Sequence, residues 1–174
     1  MKLLNEIHQY DIMMFNRLFN TRLHPVLARI SRHISKTGDG QLYLFLLVCI
    51  YWQESHTSLF FQAILLGFAT ERPVYFVLKN GFKRNRPESA LNDFQSVIKP
   101  SDQFSFPSGH TSAAFMMAVI CGFFYPSIFL FLLCWASLVG FSRVALGVHF
   151  PTDTVVGMSL GVSAALISLG IVLQ

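Results

Sequence analysis

Three short clusters carry the residues that could do chemistry. The first runs Lys79-Asn-Gly-Phe-Lys-Arg-Asn-Arg86-Pro87, the second Pro107-Ser108-Gly109-His110, and the third Ser142-Arg143 with His149 and Asp153 further on. Lys79 and Arg86 are cations suited to an anion: arginine offers a planar fork for phosphate oxygens, and lysine a point charge. Ser108 and Gly109 stand where a helix begins, so free backbone N–H groups and the positive end of the helix dipole make a second anion-binding element. Gly109 lets the backbone approach closely. Arg143 lies about one and a half turns before His149 and reaches the same point. With Pro151 starting a helix, Asp153 falls in its first turn. There its carboxylate can accept Nδ1–H of His149 and leave Nε2 as a nucleophile. His110, on another helix, is free to protonate a leaving oxygen. Three cations, a backbone nest, two histidines and one carboxylate suit in-line phosphoryl transfer through a phosphohistidine. A zinc site built on the two histidines and Asp153 is the weaker reading, because three cations aimed at one point repel a divalent ion.

The rest of the chain must bring these clusters together. Of 174 residues, 53% are hydrophobic and only 13% charged, with 18 phenylalanines and a formal charge of +4; the mean hydropathy is +0.50. A soluble fold of this size cannot hide so much apolar surface, so the bilayer is part of its solvent. Five apolar stretches read as spans: Leu42 to Trp52, Ser58 to Leu78, His110 to Phe124, Ile128 to Leu146 and Thr154 to Leu173. The first is entered through Thr37-Gly38-Asp39-Gly40, read as a turn in preference to a loop lining the site. Residues 1–36 form an amphipathic region. In it Leu3, Leu4, Ile7, Tyr10, Met13, Met14 and Leu18 recur at helical spacing, at a membrane surface or packed on the bundle. Glu6, Asp11 and Arg17 interrupt it, which excludes a signal peptide.

Alternate crossings place the end of the second span, the start of the third, the end of the fourth and the start of the fifth on one face. The three clusters therefore meet at one membrane surface. Residues 79–109 form the only long loop, and long loops are often functional. The fold class is all-α: a polytopic membrane helix bundle of about five transmembrane helices plus an N-terminal amphipathic helix, in one domain spanning 1–174.

Other residues read more plainly. Cys49, Cys121 and Cys134 are small core residues, not a disulfide framework. His8, His24, His33 and His56 are surface histidines. Lys83 and Arg84 attract anionic head groups or are ordinary loop charges. Glu71 and Arg72, inside the second span, are a pocket support or a structural ion pair.

The three clusters resemble the signature of the type 2 phosphatidic acid phosphatase superfamily: Lys-x6-Arg-Pro, Pro-Ser-Gly-His, and Ser-Arg-x5-His-x3-Asp. Every position matches, from Lys79 to Asp153. The resemblance implies that Lys79, Arg86, Ser108, Gly109 and Arg143 bind phosphate. It also implies that His149 is the nucleophile, Asp153 its orienting partner and His110 the general acid, with no metal and no other cofactor. It implies a phosphorylated membrane lipid as substrate, with polyprenyl diphosphate, phosphatidylglycerol phosphate and phosphatidic acid all admissible, and no nucleic-acid partner. A non-catalytic lipid or anion transporter or scaffold is the rival from another class. It has no use for His110, His149 and Asp153 together. The resemblance places the protein in a bacterial inner membrane with its site facing the periplasm or outside. The nine Lys and Arg residues other than Lys79, Arg86, Arg143 and Arg72 all fall on the site's side. By the positive-inside rule they favour the opposite orientation. The resemblance outweighs them, because the loop needs cations for chemistry and a surface helix can spend its own on head groups.

Overall fold

The computed structural model describes residues 2–54, 57–100 and 102–174. His56 lies outside the described residues, and so do the side chains of Leu3 and Leu4. The fold is all-α. In chain order the helices are α1 (Lys2–Phe19), α2 (His24–Lys36), α3 (Gly40–Glu54), α4 (Leu59–Phe82), the single turn α5 (Pro87–Ala90), α6 (Gly109–Phe124), α7 (Phe129–Ala145) and α8 (Pro151–Val172).

Each of the five expected apolar stretches is a helix, with ends shifted by a few residues. Two differences have plain causes. Helix α4 runs to Phe82, one turn past Leu78, and stops where Lys83 adopts a left-handed conformation (φ 46°) as its C-cap. Helix α8 begins at Pro151, whose fixed φ suits the first helical position. Among the described residues, two segments are long and apolar enough by themselves to cross a membrane, Pro126–Ala145 and Pro151–Val172. Large apolar side chains nonetheless stand exposed on several helices, among them Phe45, Trp52, Phe76, Val77, Leu130 and Phe131. Lipid, not water, is the solvent that fits such a surface. Cys49 and Cys134 share that exposure, so they are not the core residues expected; only Cys121 is half-buried, and all three are free thiols.

Helix α6 is the central post, packed against α7, α8 and α4. Its contact with α8 is close because α8 presents Gly157 and Gly161, four residues apart. A Cβ at Gly161 would stand 2.1 Å from the carbonyl oxygen of Ser112, and one at Gly157 2.5 Å from that of Ser108. Small residues at this spacing let two backbones approach where hydrophobic exclusion cannot drive helices together. The interior is built from Ile64, Met116, Ile120 and Ala165 between α4, α6 and α8, and from Ala114, Ala118, Ala136 and Val139 between α6 and α7.

The N-terminal region is two helices, not the single amphipathic helix expected. The chain breaks between Phe19 and His24, where Thr21 Oγ1 turns back to the Leu18 carbonyl. Helix α1 is packed on the bundle: Phe15 is fully buried among Phe19, Phe94 and Phe150, and Asp11 is only 2% exposed. Two histidines read as surface residues have partners. His24 stacks on Phe19 with Nε2 3.0 Å from the Ala145 carbonyl oxygen. His8 lies edge-on to Phe150.

Candidate active site

Each predicted site residue sits at or near a helix end, and the ends converge. Lys79 occupies the last turn of α4, buried to 6% exposure. Arg86 is the extended N-cap residue of α5. Ser108 is the N-cap of α6, with Gly109 and His110 in its first turn. Arg143 is in the last turn of α7, His149 in the connection that follows, and Asp153 in the first turn of α8. A cavity of about 400 Å³ is lined by Lys79, Arg86, Gly109, His110, Arg143 and His149. Six residues spread over 71 positions thus share one space.

His149 is 2% exposed. Its Nε2 lies 3.5 Å from Arg86 Nη1, and its Nδ1 lies 3.6 Å from Asp153 Oδ2. The second separation is just beyond a closed hydrogen bond, and Nδ1 is a buried atom without a partner among the described residues. Burial pushes the His149 pKa down to about 3; the Arg143 and Arg86 charges push the same way, and Asp153 opposes them. The ring is therefore neutral at pH 7, with a lone pair available on one nitrogen.

Asp153 is fully buried and held from two sides. Its Oδ2 accepts the Phe150 N–H at 2.8 Å, and its Oδ1 accepts Arg84 Nη1 at 2.7 Å. Arg84 also donates to Thr152 Oγ1 and to Asp11 Oδ2, at 2.8 and 2.6 Å, and lies over the Phe150 ring. It is thus neither a head-group attractor nor a plain loop charge. It ties the buried carboxylate of α1 to that of α8.

Ser108 stands behind the cavity wall and does not line it. Its N–H donates to the Asp153 carbonyl oxygen at 3.0 Å, and its Oγ is 2.9 Å from Thr111 Oγ1. Gly109 and His110 do line the cavity, and their backbone N–H groups are ones the helix itself does not use. Space at Gly109 is tight: a Cβ there would stand 3.0 Å from Tyr75 Cε2, and the ring would have to give by a few tenths of an ångström.

Two residues at the cavity, Tyr75 and Asp102, carry no expectation as site groups from the sequence. Tyr75, one turn before Lys79, accepts from Lys79 Nζ at 2.6 Å. Its i, i+4 spacing was the only signal for it. Asp102, from the long loop, joins both cations of the first cluster: Oδ2 is 2.8 Å from Lys79 Nζ, and Oδ1 pairs with Arg86 Nη2. Burial raises the pKa of this carboxyl, but hydrogen bonds and charge from Lys79 and Arg86 win and hold it below the usual carboxylate range. Nothing in the sequence marks it. Asp39 lies 2.9 Å from His110 Nε2, and Gly38 and Gly40 line the cavity. The Gly38-Asp39-Gly40 turn is a helix entry and a wall of the cavity at once. Glu71 and Arg72 pair with each other. Glu71 is fully buried and also accepts Ser112 Oγ at 2.6 Å, while Arg72 lines the cavity below Tyr75.

Residues 57–174 match the PAP2 superfamily. The chain belongs to that family. This PAP2 protein is 35% identical over 153 residues to phosphatidylglycerophosphatase B of Bacillus subtilis, covering 79% of its own length and 71% of the relative's. It is 28% identical to the bacitracin transport permease protein BcrC of Bacillus licheniformis, over 83% and 69% of the two chains. The crystal structure of Aquifex aeolicus LpxE superposes with a TM-score of 0.80 at 30% identity, covering 91% of this chain and 94% of that one. The transmembrane PAP2-type phosphatidylglycerolphosphate phosphatase of Bacillus subtilis superposes with a TM-score of 0.79 at 30% identity, over 96% and 86%. The protein is thus a membrane lipid phosphatase, a hydrolase of a family that works without a metal ion.

Proposed function

We propose that the chain hydrolyses a lipid phosphomonoester or diphosphate through a phosphohistidine on His149. The observation that carries this reading is the contact of His149 Nε2 with Arg86, at 3.5 Å, inside a cavity that Lys79, Arg143 and the α6 N-terminus also line. An anion held by those cations would present its phosphorus to Nε2. Attack forms a P–N bond as the P–O bond to the lipid breaks, and His110 gives its proton to the leaving oxygen. Water then attacks phosphorus with His110 as base, the P–N bond breaks, and phosphate leaves. Lys79, Arg86, Arg143 and the first amides of α6 stabilise the charge on the equatorial oxygens. Ser108, with its own polar groups engaged, serves by holding the start of α6 against Asp153.

The five apolar helices α3, α4, α6, α7 and α8 each cross the bilayer in this reading, with residues 1–174 as one unit and 79–109 as its active-site loop. The cavity opens at the outer face of a bacterial inner membrane. The substrate is a polyprenyl diphosphate or a glycerophospholipid phosphate such as phosphatidylglycerol phosphate. A phosphate-release panel over these lipids and phosphatidic acid, with EDTA present, tests it: at least one lipid is expected to be turned over at an undiminished rate. Strict dependence on added zinc or magnesium, or no release from any of them, would contradict it.

Asp102 occupies the place between Lys79 and Arg86 that a phosphoryl group needs. Replacing it with asparagine removes one negative charge from that place. Asp102→Asn is expected to lower the inhibition constant for vanadate several-fold, as one fewer repulsive charge in a half-buried site implies. A rise in that constant would instead make Asp102 a holder of the two cations.

A further inference from the structure

Beside the catalytic cavity lies a second one of about 640 Å³, and its lining is strongly cationic: Arg29, Arg32, His33 and Lys36 from α2, Lys99 from the long loop, and Arg143. Among the described residues the only carboxylate on it is Asp39, whose Oδ1 is already 2.9 Å from His110 Nε2. Among the described residues Arg29, Lys36 and Lys99 make no ion pair, and Arg32 has only the Val97 carbonyl oxygen, at 3.0 Å. Like charges crowded this way repel one another and gain nothing from the fold, so a bound anion is what would offset the repulsion.

The cavity is built, not a scatter of surface charge. Helix α2 packs on α7, and Arg143 reaches from α7 to donate to the buried Ser35 Oγ of α2 at 2.6 Å. Arg143 lines both cavities, and its Nε is a buried N–H without an acceptor among the described residues. An unpaired buried donor in a wall between two cationic spaces calls for an oxyanion.

We infer that this second cavity is a binding site for another phosphate-type anion, carried on a lipid. The anion is either the second phosphoryl group of the substrate itself or the head group of a neighbouring anionic phospholipid. The inference rests on the proposed phosphatase site and adds the lipid chemistry beside it: a substrate or companion lipid with a second negative charge is preferred. The site also accounts for charges on α2 and the long loop that turnover does not require.

The test uses the full chain in neutral detergent with Arg29, Lys36 and Lys99 all replaced by glutamine. All three are exposed and none belongs to the catalytic cavity, so the fold is expected to hold, with the melting temperature as control. Rates are measured on a polyprenyl diphosphate and on a polyprenyl monophosphate, with and without phosphatidylglycerol. Native mass spectrometry counts phosphatidylglycerol molecules retained by each protein. If the substrate's own second phosphoryl group binds here, kcat/KM for the diphosphate falls about tenfold or more while that for the monophosphate stays. If a neighbouring lipid binds here, the variant retains one phosphatidylglycerol fewer and loses any stimulation by it. A variant that matches wild type in both rates, in that stimulation and in the lipid count overturns the inference. A wild type that releases no phosphate from these two lipids, from phosphatidylglycerol phosphate or from phosphatidic acid contradicts the proposed function instead, and the lipid count then still reads the cavity.

Discussion

Replacing His149 with alanine is expected to lower turnover on the order of 10⁴-fold or more while leaving the fold in place, because no second group stands where its Nε2 does. The site around it stays cationic: Lys79, Arg86 and Arg143 are supported by Tyr75, Asp102, the Val148 carbonyl and Ser35, none of which depends on the imidazole. Vanadate, held by charge, should therefore still bind to the variant. Phosphate release is read against a thermal melt. A variant that melts like wild type and retains activity would remove His149 from the chemistry. Burial favours the neutral ring, so the native histidine needs no base to deprotonate it at pH 7.

The second large effect is expected at Asp153. Its replacement by asparagine should cost on the order of 10⁴-fold in kcat, the loss seen when an orienting carboxylate loses its charge but keeps its shape. The geometry here adds a reason. Asp153 serves His149, the Phe150 N–H and Arg84 together. An asparagine that keeps its oxygen on one of them must turn an amide N–H toward another, and Arg84 offers only donors. Arg84→Gln leaves the carboxylate intact and should cost less, about tenfold, with the loss mostly in kcat. Equal losses in the two variants would mean that the carboxylate acts only as an anchor for Arg84.

The spaced clusters were legible because their residues lie at helix ends or in the short breaks between them, where local sequence shows both the helix and its break. Pro107-Ser108-Gly109 announces a start, and the apolar run up to Leu146 announces an end. Alternating crossings then bring those ends to one face without any knowledge of packing. What stayed hidden depends on pairing between distant segments. Asp102 reaches Lys79 and Arg86 from the middle of an irregular loop, where no periodicity reports a direction. Asp39 meets His110 across 71 residues, and Asp11 meets Arg84 across 73. The break at residues 20–23 carries no proline or glycine, so α1 and α2 read as less than two helices. The exposed Cys49 and Cys134 mislead for a different reason: in a bilayer an apolar run does not separate core from surface, since lipid accepts both.

The most direct test of the phosphohistidine is to trap it. The purified chain is mixed with a ³²P-labelled lipid phosphate that it turns over, quenched in alkali within a turnover, and mapped by peptide. Phosphoryl-nitrogen bonds survive alkali and are lost in acid, so the expected result is alkali-stable, acid-labile label on the peptide containing His149, absent from the His149→Ala protein. Label on another residue, or rapid turnover with no labelled protein at any quench time, would contradict it.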